Sequence, residues 1–158
     1  IRGNPKAALT IIEFSDFTCP ACAEAEGVLA ALRSEYGTRL RIIWKDLPHL
    51  DRITGSRRLH LAARCAQEQG KFWEFHDALL GTTVHDDDTV TAIVQQTALD
   101  ARALTTCMDR PTWSNRIAAS TADAARAGVT STPAFFVNGT LLTDAPTLPA
   151  FRTLLDAP

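Results

Sequence analysis

A predicted strand gives way to a predicted helix at Phe14-Ser-Asp-Phe-Thr-Cys-Pro-Ala-Cys22, and this junction contains a C-x-x-C motif. The preceding residues 9–14 are largely apolar and rich in β-branched side chains, which predicts a buried strand. Helix signals begin at Pro20, a residue tolerated in a first helical turn, and continue to Tyr36, before Gly37. Two cysteines three positions apart at a helix start lie close enough to form a disulfide, so this junction is the predicted redox site.

The positions of the two cysteines predict different chemical roles. A helix N-terminus offers unpaired N–H groups and a partial positive charge, which stabilise a thiolate at Cys19 and lower its pKa. Cys22 begins a helical face whose later members are Ala25, Leu29, Leu32 and Tyr36. We therefore expect Cys22 to point into the core while Cys19 stays accessible. An exposed nucleophile and a sheltered resolving thiol are what exchange through a mixed disulfide requires.

The C-x-x-C motif has two alternative interpretations without redox chemistry, which are an inert structural disulfide and half of a zinc site. A zinc site usually needs a second C-x-x-C or a pair of closely spaced histidines, and the sequence has neither. Cys65 and Cys107 stand alone in separate helical segments. Histidines 49, 60, 76 and 85 lack ligand spacing and are interpreted as surface residues or core fillers. Redox chemistry without a metal or other cofactor is therefore the favoured prediction.

The rest of the chain predicts an α/β fold. A second apolar strand at residues 40–44 follows the first helix, which implies a right-handed βαβ crossover and a parallel strand pair. Helical periodicity dominates residues 56–128. A hairpin is predicted at residues 133–142, because strand-forming residues flank the turn dipeptide Asn138-Gly139. An amphipathic helix over residues 148–155 completes a βαβ, helical block, ββα order.

A second signal is the dipeptide Thr132-Pro133, which opens the predicted hairpin. Proline cannot donate a hydrogen bond to a strand ladder, so a proline at the start of a buried strand needs a reason. A cis Thr132–Pro133 bond is one such reason, since it leaves backbone groups of Thr132 free to pair with an extended substrate. A trans proline at a strand start is the alternative that the sequence leaves open.

Three motifs together resemble the DsbA-like branch of the thioredoxin superfamily. They are Phe14-Ser-Asp-Phe-Thr-Cys-Pro-Ala-Cys22, Gln69-Gly-Lys-Phe-Trp-Glu-Phe-His-Asp77, and Thr132-Pro133 before Phe-Phe-Val-Asn-Gly139. The resemblance implies a thioredoxin fold with an inserted helical subdomain at residues 55–127, between thioredoxin-like residues 1–54 and 128–158. It also implies an extracytoplasmic disulfide oxidase that acts on reduced or unfolded proteins, with a membrane quinone-linked partner that reoxidises it.

The resemblance also suggests roles for individual residues. Thr132 and Pro133 correspond to a cis-proline loop that faces the two active-site cysteines. Glu13 shares a strand face with apolar residues, and the resemblance favours a buried carboxylate beneath the site over a solvent-facing or ion-paired one. Some family members carry a second disulfide in the helical insertion, which favours a Cys65–Cys107 bridge over two free buried thiols.

One departure from the family concerns the residues between the active-site cysteines. Here they are Pro20-Ala21, whereas the best-known member has Pro-His. A histidine at this position helps to stabilise the thiolate, and alanine cannot. We therefore expect this chain to be a weaker oxidant than that relative.

Composition and cysteine usage bound the class of protein and its location. A net charge of −2 over 158 residues gives no basic surface for nucleic acid, and no apolar run reaches the ~18–20 residues of a membrane span. No signal peptide precedes the first strand, so we expect any leader or anchor to lie outside this sequence. An even number of cysteines favours a secreted protein in an oxidising compartment, such as the periplasm or the cell envelope. We expect a monomer.

Three alternatives to a stand-alone oxidase stay open at this point. One is a reductase or isomerase of the same fold, because the direction of electron flow depends on how far the reduced form is stabilised. Another is a redox-inactive module that binds client proteins. The chain could also be one domain of a larger membrane protein.

Overall fold

The central strand of the sheet leads directly into the redox motif. The computed structural model describes residues 1–49, 55–143 and 145–157. Its five strands are β1 (Arg2–Gly3), β2 (Leu9–Ser15), β3 (Leu40–Asp46), β4 (Ala134–Val137) and β5 (Thr140–Leu141). They form one sheet in the order β1-β3-β2-β4-β5, in which β2 and β3 are parallel and the other neighbours antiparallel. The predicted βαβ and ββ units are confirmed.

The helices are seven in the described residues and follow the predicted order. They are α1 (Pro20–Tyr36), α2 (Ser56–Glu68), α3 (Phe72–Leu80), α4 (Asp87–Gln96), α5 (Ala101–Met108), α6 (Pro111–Arg126) and α7 (Leu148–Leu155). The predicted buried face of α1 is confirmed, and it packs with α7 against one face of the sheet. Ala124 of α6 packs with Phe14 on the other face. No helix among these residues is both long and apolar enough to cross a membrane.

Helices α2–α5 and the start of α6 share one hydrophobic cluster. Three residues of the redox end of the molecule, Phe17, Cys22 and Trp44, belong to this same cluster, so the helical block packs directly against the site. The ring centroids of Phe17 and Trp44 are 4.8 Å apart and nearly parallel. A disulfide between Cys65 and Cys107 joins α2 to α5. Asp100 is the N-cap of α5, because its carboxylate accepts a hydrogen bond from the Ala103 N–H.

The structure differs from the sequence prediction at two edges of the sheet. Strand β1 was not predicted, because two residues are too few to show a hydrophobic period. Its Gly3 has φ +93°, and a Cβ there would lie 2.6 Å from the Leu40 carbonyl oxygen, so the close approach to β3 needs glycine. The last strand, Thr140–Leu141, ends one residue before the end of the hairpin predicted at residues 133–142. The predicted subdomain boundary at residue 54 lies outside the described residues and stays a prediction.

Candidate active site

The two cysteines of the motif occupy unequal environments at the start of α1. Cys19 is the N-cap residue and Pro20 begins the helix, so the carbonyl of Cys19 accepts the Cys22 N–H at 3.0 Å. Both side chains are free thiols. Cys19 is half-buried, whereas Cys22 is 0% exposed because it heads the apolar face of α1. An attacking thiol from a partner can therefore reach Cys19 more readily than Cys22.

Electrostatics separate the two thiols further. A hydrogen bond from the Cys22 thiol is the main cause that lowers the pKa of Cys19 to about 6, and Thr132 and the charge of His49 act in the same direction. Partial burial opposes this shift. Burial, followed by the hydrogen bond to Cys19, raises the pKa of Cys22 well above its ordinary value. At neutral pH the pair therefore holds one thiolate, on the accessible sulfur, and one proton, on the buried sulfur.

Glu13 lies on β2 and is 0% exposed. Neither of its carboxyl oxygens has a hydrogen-bond partner among the described residues. Burial, reinforced by the negative charge of Glu26, raises the pKa of Glu13 to about 8, while Ser15 and Arg33 act against this rise. A buried carboxyl group with such a pKa is protonated at neutral pH and can exchange its proton as the pH approaches 8.

The loop before β4 closes the site from the other side. The Thr132–Pro133 peptide bond is cis. The Cys19 thiol donates to the Thr132 carbonyl oxygen at 3.5 Å, which places this loop directly against the accessible sulfur although it lies 113 residues away in the chain. The structure thus brings together Cys19, Cys22 and Thr132–Pro133, three of the predicted elements of the site.

Asp16 connects the strand–helix turn to its surroundings. It is a turn residue, since its Oδ1 accepts hydrogen bonds from the Thr18 N–H at 2.7 Å and from the Thr18 hydroxyl at 2.8 Å. Its Oδ2 accepts the His49 N–H at 2.5 Å and the Ser56 hydroxyl at 2.7 Å. Burial alone favours the neutral acid, but these bonds and the nearby His60 outweigh it and lower the pKa of Asp16. A buried carboxylate therefore anchors the turn that presents Cys19.

His49 is the site residue that the sequence analysis missed. It was interpreted as a filler, but its Nε2 lies 2.6 Å from the Thr132 hydroxyl oxygen, next to Cys19. One signal could have located it: β2 and β3 are parallel, so residues just after β3 reach the edge of the sheet where the redox motif begins. The interpretation as core fillers holds for His60 and His76, both 0% exposed.

One group of potential metal ligands exists among the described residues, away from the cysteines. Glu26, His76 and Asp77 each offer one ligand atom within 4.8 Å of the others. The Asp77 carboxylate, however, is engaged by both terminal nitrogens of Arg2. Glu26 lies 3.7 Å from Arg33. Both carboxylates thus have cationic partners within the protein, and the geometry assigns them to ion pairs.

A cleft of about 350 Å³ opens beside the accessible cysteine. Among its lining residues are Cys19, Pro20 and Ala23 from the start of α1. Leu59 of α2 and Thr82 after α3 line it from the helical block. The cleft therefore lies where the sheet-side redox motif and the helical block meet, and it has room for a side chain next to the reactive sulfur.

Comparison with known sequences gives one family and a set of longer relatives. A family model described as thioredoxin matches residues 1–157. The chain is 36% identical over 143 residues to the Na(+)/H(+) antiporter NhaA 3 of Salinispora tropica, covering 88% of this chain and 21% of that protein. It is 33% identical over 141 residues to the NhaA antiporter of Herminiimonas arsenicoxydans, covering 88% and 22%. The chain thus spans about a fifth of the length of the curated relatives it matches.

Comparison with solved structures confirms the predicted thioredoxin fold. A thioredoxin-like oxidoreductase from Silicibacter pomeroyi superposes with a TM-score of 0.88 at 30% identity, covering 98% of this chain and 88% of that one. The thiol-disulfide exchange protein alpha-DsbA2 from Wolbachia pipientis gives 0.86 at 21% identity, with 98% and 83% covered. BdbD from Bacillus subtilis gives 0.84 at 16% identity, with 98% and 89% covered. The last two similarities concern the fold alone.

Proposed function

Because the chain belongs to the thioredoxin family and is a DsbA-like thiol–disulfide oxidoreductase, we propose that it donates a Cys19–Cys22 disulfide to folding extracytoplasmic proteins. The observation that carries this direction is the asymmetry of the two thiols. An accessible Cys19 with a pKa near 6 makes the reduced enzyme stable at neutral pH. A dithiol whose reduced form is stabilised is, by the same free energy, a stronger oxidant when it is in the disulfide form.

The proposed reaction is two successive thiol–disulfide exchanges. A substrate thiolate attacks Cys19 Sγ, the Cys19–Cys22 bond breaks, and Cys22 leaves with the electron pair and takes up a proton. A second substrate thiolate then attacks the substrate sulfur of the mixed disulfide, and Cys19 leaves as a thiolate. The substrate loses two electrons to the enzyme, which becomes the dithiol. No metal or organic cofactor takes part in this scheme.

Residues around the cysteines support these steps. Glu13, with its raised pKa, is the proposed proton donor and acceptor for the buried Cys22 sulfur. Backbone groups of Thr132, held beside Cys19 by the loop that contains Pro133, are the proposed site of pairing with an extended substrate. Pro20 and Ala21 leave the space between the cysteines uncharged. Cys65 and Cys107 are the proposed structural disulfide, because they lie within the helical block rather than at the cleft.

The test is the reduction potential of the Cys19–Cys22 pair, measured by equilibration with glutathione buffers and mass analysis of trapped thiols. A parallel sample without Cys65 and Cys107 separates the two pairs. We expect a value above about −180 mV, as for oxidants and isomerases, but below the roughly −120 mV of the best-studied DsbA, because Ala21 adds no positive charge. A value near −270 mV, typical of thioredoxin, contradicts the oxidase direction and favours a reductase.

A Cys19→Ser variant separates redox catalysis from redox-inactive client binding. We expect this variant to lose disulfide transfer to a reduced protein substrate, while Ser34→Ala, an exposed change on α1, retains it. If Cys19→Ser still oxidises the substrate at the rate of the unmodified protein, the assignment of Cys19 as nucleophile is wrong.

The setting of the domain is also a proposal. We place it outside the cytoplasm, where a membrane quinone-linked protein reoxidises it, because the family resemblance and the disulfide of the helical block both fit an oxidising compartment. Sequence similarity to the antiporters covers about a fifth of their length. We therefore propose that redox chemistry, rather than ion transport, is what this chain shares with them. Reoxidation of the reduced protein by quinone-containing membranes tests this partner.

A further inference from the structure

The reactive thiol has a positively chargeable neighbour that does not come from its own helix. The residues around it in sequence, Thr18, Pro20 and Ala21, carry no charge, and the first turn of α1 contains no basic side chain. The imidazole whose charge acts on Cys19 belongs to a different segment. It is His49, which follows β3 by three residues and is half-buried at the edge of the site.

Two hydrogen bonds hold His49 in place from opposite ends. Its backbone N–H donates to Asp16 Oδ2 at 2.5 Å, which ties the loop to the turn before Cys19. Its ring Nε2 lies 2.6 Å from Thr132 Oγ1. The carbonyl oxygen of the same Thr132 accepts the Cys19 thiol at 3.5 Å. Three segments that are distant in sequence therefore meet at Thr132, with the imidazole on one side and the reactive sulfur on the other.

We propose that His49 is a positioning residue for thiol–disulfide exchange, holding Thr132 against Cys19 and stabilising the departing Cys19 thiolate with the charge of its ring. This role rests on the proposed redox function, and it applies to exchange in either direction. A neutral imidazole can accept a hydrogen bond from the Thr132 hydroxyl, whereas a charged imidazole must donate a hydrogen bond to the hydroxyl oxygen. The charged ring adds positive potential beside the sulfur in the half-reaction in which Cys19 leaves with the electron pair.

The charged groups around His49 leave its ring free to act on Cys19. Among the described residues, Asp16 accepts the His49 N–H, Cys19 contacts Thr132, and His60 of α2 lies beside Asp16. His85 lines the cleft next to Cys19. The Asp16 carboxylate accepts four hydrogen bonds, two from Thr18 and one each from the His49 N–H and the Ser56 hydroxyl. His60 Nε2 lies 3.9 Å from that carboxylate. The His49 ring itself faces Thr132 and the sulfur, and its charge is one of the causes that favour the Cys19 thiolate.

The test compares His49→Gln with the unmodified protein in two measurements. The first is the pH dependence of Cys19 alkylation in the reduced protein, and the second is the reduction potential in glutathione buffers. We expect His49→Gln to raise the pKa of Cys19, to slow alkylation at pH 6 severalfold, and to make the potential more negative. One full pKa unit corresponds to about a tenfold loss of thiolate at a pH below the pKa. Arg102→Gln, which removes an exposed cation on α5, is the matched control and is expected to change neither quantity.

Two further variants separate charge from hydrogen bonding. Thr132→Val removes the hydroxyl but keeps the imidazole. Because the hydrogen bond from Thr132 is a larger cause of the low Cys19 pKa than the charge of His49, we expect this variant to raise that pKa at least as much as His49→Gln. His49→Lys keeps a positive charge and is expected to retain most of the acidity of Cys19; it also keeps the test informative if His49→Gln does not fold. An unchanged pKa and potential in a folded His49→Gln protein overturns the proposal. The His49 test measures changes in the Cys19 pKa and in the potential relative to the unmodified protein. The oxidase assignment depends instead on the absolute potential of the unmodified protein, so the two proposals can fail separately.

Discussion

The Ser56 hydroxyl donates a hydrogen bond to Asp16 Oδ2 over 2.7 Å, and both residues are fully buried. This bond links the first residue of α2 to the turn that presents Cys19. The two residues are 40 positions apart in sequence, so the link depends on docking of the helical block against the end of the sheet. The reactive end of the molecule is thus braced by the helical block as well as by its own strand.

Ser56→Ala tests this brace. Removing the hydroxyl leaves a buried carboxylate with one hydrogen bond fewer, so we expect a loss of about 1–3 kcal/mol in the free energy of unfolding. Urea unfolding of the reduced and oxidised forms measures this loss. Ser34→Ala, at an exposed position on α1, is the control and is expected to cost less than about 0.5 kcal/mol. Equal stability of the two variants contradicts the structural role of the bond.

Acid destabilises the fold through Asp46. Hydrogen bonds and charges from His60 and Arg64 outweigh burial and lower the pKa of Asp46 to about 2, from an ordinary 3.8. Since the folded-state pKa lies below the unfolded one, this group stabilises the fold above pH 4 and loses its contribution as the pH falls to 2. The expected loss is about 2 kcal/mol.

Unfolding measured between pH 5 and pH 2 checks this dependence on Asp46. We expect Asp46→Asn to be less stable at pH 5 and to show a shallower decline in acid than the unmodified protein. Asp109→Asn, at an exposed position after α5, is expected to keep the full decline. A decline of the same steepness in Asp46→Asn assigns acid sensitivity to other carboxylates.

Glu13 predicts a pH dependence of opposite sign. Its pKa in the folded protein is about 8, above the ordinary 4.5, so the folded state binds a proton that the unfolded state has lost. Between those two values the stability therefore falls as the pH rises, by up to about 1.4 kcal/mol per pH unit. We expect Glu13→Gln to flatten this slope and to be the more stable protein at pH 8.

The same Glu13→Gln variant is expected to slow the exchange steps in which Cys22 gains or loses its proton. Chemical unfolding from pH 5 to pH 8, together with stopped-flow rates of reduction, measures both effects. Glu24→Gln, which neutralises an exposed carboxylate on α1, serves as the control. A stability slope that Glu13→Gln leaves unchanged shows that Glu13 is ionised in the folded protein.

Cys22→Ala tests the origin of the acidity of Cys19. The hydrogen bond from Cys22 is the largest cause that lowers the Cys19 pKa to about 6, so its removal is expected to raise that pKa towards 9. The pH dependence of alkylation, or of thiolate ultraviolet absorbance, measures the shift. Cys65 and Cys107 are bridged and do not interfere. A Cys19 pKa that stays near 6 in this variant assigns the acidity to the helix N-terminus, His49 and Thr132.

The disulfide of the helical block predicts a loss of stability without a loss of redox function. Cys65 and Cys107 are 42 residues apart, and closing a loop of this length reduces the entropy of the unfolded chain by an amount worth about 4 kcal/mol. We expect the double variant Cys65→Ala/Cys107→Ala to lose about this much in urea unfolding. Its Cys19–Cys22 potential is expected to match the unmodified protein. A shift in that potential contradicts a purely structural role.

The sequence alone determined the parts of the site that depend on neighbours along the chain. A strand, a turn and a helix with cysteines at positions i and i+3 are local features, so residues 9–36 predicted a redox motif and the burial of Cys22. Turn chemistry at Asn138-Gly139 located the last hairpin for the same reason. Strand β1 was not predicted because two residues are too few to show a hydrophobic period. The folded protein nevertheless gives a steric reason for its glycine, which lies too close to β3 for a side chain.

Only the tertiary structure decided which distant groups surround the reactive sulfur. His49 lies in a segment with no pattern of its own, and Ser56 begins a helix whose periodicity does not say where it docks. Both reach the site because parallel β2 and β3 end at one edge of the sheet and α2 docks against that edge. The acidity of Cys19 and the proton affinity of Glu13 likewise depend on burial and on charges brought close by folding. Hydrophobic period and turn chemistry act over a few residues, whereas solvent exclusion and Coulomb interactions depend on distance in space.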